Sequence, residues 1–120
     1  MDLYKSTDNG DTWQLFANTV GSQHPGHFLR LKDGRLLLTH GDRRAGLEGV
    51  TVRASADPAN SWPRFSTPIA RALNTDCGYP SSIQLADGRI MTAFYAKSSP
   101  THKNYHMGIV FWSLKDLLGE

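Results

Sequence analysis

Two short polar stretches carry the side chains best suited to chemistry. Asp42-Arg43-Arg44 lies in the polar run 40–49, and Asp76 and Tyr79 precede the apolar run that starts at Ser81. The planar fork of arginine grips a carboxylate through two parallel hydrogen bonds. Arg43 and Arg44 are therefore candidates for an anionic ligand, although paired arginines in a loop can equally be solvated. Asp42 and Asp76 could orient an arginine or a tyrosine. Other constellations are weaker. His24 and His27, with His40, His102 or His106, offer imidazoles, but no third ligand has metal-like spacing. Gly78-Tyr79-Pro80-Ser81 is not a nucleophile elbow. Asp8, Asn9 and Asp11 lack the glycine position and distal glutamate of an EF-hand. No metal and no cofactor is expected. Trp13, Trp62 and Trp112 could stack on sugars if exposed, or serve as packing residues.

Composition narrows the classes. The 120 residues suffice for one modest domain with a core. The formal charge is +2 with acids and bases interspersed, so no nucleic-acid groove is indicated. Cys77 is the single cysteine, which excludes an intrachain disulfide. No apolar stretch is long enough for a signal peptide or a membrane span, so no membrane partner is expected. The compartment is not encoded here; a longer parent would carry its own address.

The elements that must position these residues read as short strands. Ser6-Thr7-Asp8-Asn9-Gly10-Asp11-Thr12-Trp13 separates two apolar runs and has the parts of a tight hairpin. The Asp8 carboxylate can accept hydrogen bonds from the turn backbone. Gly10 can take positive φ, Thr12 favours the returning strand, and the Trp13 ring can cover the turn. Lys32-Asp33-Gly34 between apolar runs is a second hairpin signal. Leu36-Leu37-Leu38 is continuous rather than alternating, as in a strand buried on both faces.

Both signals recur. Ser55-Ala56-Asp57-Pro58-Ala59-Asn60-Ser61-Trp62 repeats the first motif 49 residues later, with Ala59 for the glycine and Ser61 for the threonine. Leu85-Ala86-Asp87-Gly88-Arg89 repeats Leu31-Lys32-Asp33-Gly34-Arg35 after 54 residues. Two motif types returning at about 50 residues indicate a repeat architecture. Nine strands are expected, two around the first motif, four over 28–65 and three over 79–112, with one short helix at 114–118. The fold class is all-β, about two four-stranded antiparallel blades. They divide as the end of one blade at 1–17, a full blade at 26–68 and most of a third at 78–113.

The Ser6–Trp13 motif resembles the Asp-box of sialidases and related β-propellers, and Ser55–Trp62 resembles a degenerate copy. His24 to Thr39 and Asp76 to Gly88 resemble central strands of bacterial sialidase-like BNR-repeat proteins. The resemblance covers nearly the whole chain but only the C-terminal part of a family member. It implies a sialidase-type propeller fragment in which Ser6, Asp8, Gly10, Thr12, Trp13, Ser55, Asp57 and Trp62 are structural.

The resemblance also implies a function, as a segment of a glycoside hydrolase acting on sialic acid or another anionic glycan. Sialidases clamp the substrate carboxylate with three arginines and attack with a tyrosine assisted by a glutamate. Tyr79 matches the nucleophile's position before a Leu-x-Asp-Gly turn, and Arg43 or Arg44 matches a clamp arginine. Asp42 and Asp76 would support them. The assisting glutamate has no counterpart before 28–31, where His24-Pro25-Gly26 stands, so an isolated monomer is expected to be inactive. The expected partners are the remaining blades of a longer parent. The alternative is a non-catalytic glycan-binding or assembly module that completes a propeller by homo-oligomerisation.

Overall fold

The computed structural model describes residues 1–19 and 21–119. Among them are nine strands: β1 (Asp2–Lys5), β2 (Gln14–Asn18), β3 (Gln23–Arg30), β4 (Leu36–Asp42), β5 (Gly49–Ser55), β6 (Thr67–Arg71), β7 (Cys77–Gln84), β8 (Ile90–Ala96) and β9 (His106–Trp112). A helix, α1 (Leu114–Leu118), closes the chain. The strands form three antiparallel meanders ordered β1-β2, β3-β4-β5-β6 and β7-β8-β9. The architecture is all-β. No helix among the described residues is long and apolar enough to cross a membrane.

The repeated hairpins are superimposable in their bonding. Leu31 and Leu85 each donate their N–H to the arginine four residues on, at 2.8 Å, and accept from Gly34 and Gly88 at 3.0 and 3.1 Å. Those glycines sit at φ 92° and 90°, which a side chain would strain. Asp33 and Asp87 each take the following arginine's N–H at 3.0 Å and its Nε at 2.9 and 2.8 Å. Equal local sequence has produced equal local geometry at the same place, between the first and second strands of the second and third sheets.

The two Ser-x-Asp motifs also occupy matching places. The first joins β1 to β2, and the second follows β5 on the way to β6. Asp8 takes Thr12 N at 2.9 Å, Thr12 Oγ1 at 2.5 Å and Ser6 Oγ at 2.8 Å. These donors, Thr12's hydroxyl foremost, hold its carboxyl down at about 2. The Trp13 indole donates to Gly10 O at 3.0 Å and lies over the glycine. In the degenerate copy the serine is no substitute for the threonine. Asp57 accepts instead from the Asn60 amide, at 3.0 and 3.1 Å, and the Trp62 indole donates to Pro58 O at 3.1 Å. Lys5 Nζ donates to Ala59 O at 2.8 Å, tying one turn to the other.

Two boundaries differ from those expected. The full blade starts before residue 26, because β3 begins at Gln23 and a bulge between Gln23 and Gly26 lets it pair with Asp42 and His40. The fourth strand of the second sheet lies at Thr67–Arg71, beyond Phe65. Pro68 is tolerated there because β6 is an edge strand.

The main core lies between the second and third sheets. Leu31, Leu37 and Val52 meet Ile90, Trp112 and Leu114, and a neighbouring cluster joins Val50 and Ala72 to Cys77, Phe94 and Ala96. Leu37 and Leu38 are both essentially inaccessible, as a two-sided strand requires. Near the start of β7 the sheets touch backbone to backbone. A Cβ on Gly41 would stand 2.8 Å from His24 O and 3.2 Å from Gly78 Cα, and one on Gly78 would stand 3.0 Å from Gly41 Cα. Glycine at both positions is what permits the approach.

Candidate functional site

The Gly41–Gly78 contact sets the position of one rim of the molecule. Arg43 follows Gly41 by two residues, and Tyr79 follows Gly78 directly. Arg43 donates its backbone N–H to Ser22 O at 2.9 Å, while its Nε reaches Cys77 O at 3.4 Å, which bridges β4's end to β7's start.

Tyr79 has an unusual backbone. Its φ is 48°, in the left-handed region, and it precedes Pro80 within a bulge where pairing with β8 skips from Gly78 to Ser81. Left-handed conformation is costly for a bulky residue, and the pre-proline position adds to the strain. The result is a side chain turned out to solvent, 65% exposed, with its ring 5.7 Å from that of Tyr95 at a tilt of 46°.

Asp76 is the electrostatic centre of this rim. Tyr95 Oη donates to Oδ1 at 2.6 Å, and Tyr105 Oη donates to Oδ2. Its backbone is fixed as well, since Asp76 N donates to Asn74 Oδ1 at 2.8 Å and Asp76 O accepts from Lys97 N at 2.9 Å. The Tyr105 hydroxyl, then that of Tyr95, hold the carboxyl below the usual carboxylate range, helped by the charges of Lys97 and Arg43. The same bonds make the phenols harder to ionise. Asp76 pushes Tyr95 up to about 12 and raises Tyr105 as well. The Lys97 ammonium lies 6.0 Å from the centre of the Tyr105 ring.

Of the residues singled out from the sequence, Asp76, Tyr79 and Arg43 thus share one exposed surface. Asp42 and Arg44 do not join them. Asp42 is wholly buried at the end of β4, not in a loop, and Arg44 grips it through Nε at 2.9 Å and Nη2 at 2.5 Å. Gln23 Nε2 donates to the same carboxylate at 3.0 Å. Burial works against the Asp42 charge, but the bonds from Arg44 and Gln23 outweigh it and keep the carboxyl low. Ser6, Asp8, Gly10, Thr12 and Trp13 form the β1–β2 turn; Ser55, Asp57 and Trp62 lie at the far end of β5 from Asp42.

Tyr95, Tyr105 and Lys97 complete the rim and were not singled out. The alternating burial of β8 gives a signal for Tyr95, which stands on the less buried face. Nothing local marks Tyr105, whose partner is 29 residues away.

The chemistry available follows from these contacts. A tyrosine nucleophile needs a neighbouring base, and the cluster's carboxylate is bonded to Tyr95 and Tyr105 rather than to Tyr79. What the surface presents is exposed aromatic rings, a fixed carboxylate and two cations, a set suited to holding a polar, partly anionic molecule. Among the described residues no group of three or more His, Cys, Asp or Glu could hold a metal ion.

No family model matches the chain, and no curated protein matches it. Among solved structures it is similar to the crystal structure of a protein of unknown function from Dyadobacter fermentans DSM 18053, with a TM-score of 0.65 and 27% sequence identity. The match covers 92% of this chain but 30% of that one, so the chain spans under a third of its neighbour's length.

Proposed function

We propose that the chain is a segment of a sialidase-type β-propeller whose Asp76 rim binds an anionic glycan, sialic acid being the first candidate. The propeller reading is supported by the matching hairpins and Ser-x-Asp motifs at matching places in successive sheets. The observation that carries the binding reading is Asp76, held by two phenols beside exposed Tyr79 and close to Arg43 and Lys97. A sugar carboxylate pairs with Arg43 or Lys97, a sugar hydroxyl donates to Asp76, and the ring packs on tyrosine. Turnover needs a base for Tyr79 from outside this cluster, so the isolated chain binds without hydrolysing.

The test is saturation-transfer NMR of the 120-residue chain with sialyllactose and with lactose. Transfer to the sialic acid protons, lost in Tyr79→Ala and in Arg43→Ala, is the expected result. Equal transfer from both sugars, or signals untouched by either substitution, refutes it. Hydrolysis of a fluorogenic sialoside by a longer parent, insensitive to Tyr79→Phe, removes any nucleophilic role for Tyr79.

A second reading has its own support. Met107, Ile109 and Phe111 alternate along β9 and are each more than half exposed, so one side of the third sheet is an uncovered apolar face. Such a face and the free β9 edge call for further blades or further copies of the chain. A discrete oligomer in native mass spectrometry supports ring closure by copies; a stable monomer at micromolar concentration excludes it.

A further inference from the structure

A second cluster of charge lies on the other side of the second sheet from the main core. Side chains alternate along a strand, so Arg53 on β5 faces away from Val50 and Val52. It is 5% exposed, a degree of burial rare for a charged residue. Its Nη2 donates to Gln23 Oε1 at 2.9 Å and its Nη1 to Pro63 O at 3.2 Å. Its Nε is buried and has no hydrogen-bond partner among the described residues. An orphaned N–H on a buried cation is costly.

Arg53 lines a cavity of about 50 Å³ together with Gln23, Arg44, Arg64, Phe65 and Ser66. Three arginines therefore line one small space, and the nearby Asp42 carboxylate, already doubly bonded to Arg44, offsets only one of their charges. A single water takes roughly 10–15 Å³ of such volume, so there is room for roughly three to five heavy atoms, a range whose upper end is the five of a phosphate or sulfate. Gln23 Nε2 also donates to Ser66 Oγ at 2.9 Å, which fixes the hydroxyl at the cavity wall.

We infer that this cavity is a binding site for a small tetrahedral oxoanion, phosphate or sulfate, held by Arg53, Arg44 and Arg64 with Ser66. Such an anion offers acceptors on every side to the three arginines of the lining, the unpartnered Arg53 Nε–H among them. The anion is either free or the terminal ester group of a sugar. The site shares no contact residue with the Asp76 rim, so it stands or falls apart from the glycan reading.

The experiment is NMR of the intact chain, following the Arg53 Nε–H signal, assigned by its loss in Arg53→Lys. Sodium sulfate, sodium phosphate and glucosamine 6-sulfate are titrated against sodium chloride at equal ionic strength. The expected result is a saturable shift with an oxoanion and none with chloride. Arg64 is exposed, so Arg64→Ala keeps the fold and weakens binding about tenfold or more, the worth of one charge-assisted bond. Saturation by inorganic anions alone identifies a free anion; tighter binding of the sulfated sugar identifies an ester. The inference is overturned if none of the three shifts the signal beyond chloride, or if Arg64→Ala binds as tightly as the parent sequence.

Discussion

Acidification between pH 6.5 and 4 is expected to destabilise the fold through His40. This residue is fully buried in the middle of β4, with Nδ1 3.0 Å from Thr51 Oγ1 and Nε2 unpartnered among the described residues. Burial, and then the charge of Arg53, push its imidazole down to about 4 from an ordinary 6.5. Between those values the unfolded chain binds a proton at this site that the folded chain refuses. Stability therefore rises with pH across the window and is lost as pH falls. Each pH unit is worth about 1.4 kcal/mol, giving roughly 3 kcal/mol lost between pH 6.5 and 4. That is a large part of the 5–15 kcal/mol typical of a domain. The assay is urea unfolding at half-unit steps from pH 7 to 4, on the chain and on His40→Gln. The variant should be less pH-sensitive above pH 4.5, whereas the bonded carboxylates Asp42 and Asp76 act lower, from about their unfolded 3.8 downward. Identical slopes in both proteins between pH 6.5 and 4.5 would refute the reasoning, as would an NMR titration placing His40 near 6.5.

Other outcomes follow from single contacts. Leu37→Ala should cost about 2–5 kcal/mol by urea denaturation, because the side chain is enclosed between two sheets. Gly49→Ala should prevent a native circular-dichroism signature, since φ is 147° and its Cβ would fall 2.0 Å from Ala70 O. In spectrophotometric titration one tyrosine should ionise near pH 12, and Asp76→Asn should bring it down towards 10 by removing the carboxylate on Tyr95.

Much of the fold was legible because its signals are local. The Asp-Gly hairpins and the Leu36–Leu38 strand are written in adjacent residues, and turn chemistry with strand burial suffices to read them. The start of β3 was not legible, because a bulge, not a periodic pattern, admits Gln23 to the sheet. The fate of Asp42 was hidden for a different reason. That Asp42 could orient an arginine is readable from the adjacent Arg44, but a polar run reads as a loop, and only the fold buries the pair and brings Gln23 to help neutralise the carboxylate. The Asp76 cluster shows the same limit, since strand alternation marks a face but not which tyrosine across the sheet will reach a given carboxylate.

The meeting of Gly41 and Gly78 has a consequence for how the rim behaves on heating. Arg43 and Tyr79 each stand within two residues of that contact. Lever arms so short leave the two side chains little room to drift while the sheets stay together. Their spacing is then a property of the joint and not of the loops, so local fraying alone cannot disperse them. The alignment of Arg43 with Tyr79 and the β4–β7 packing should be lost in a single step, which makes the environment of the Tyr79 ring a gauge of whether the two sheets are docked.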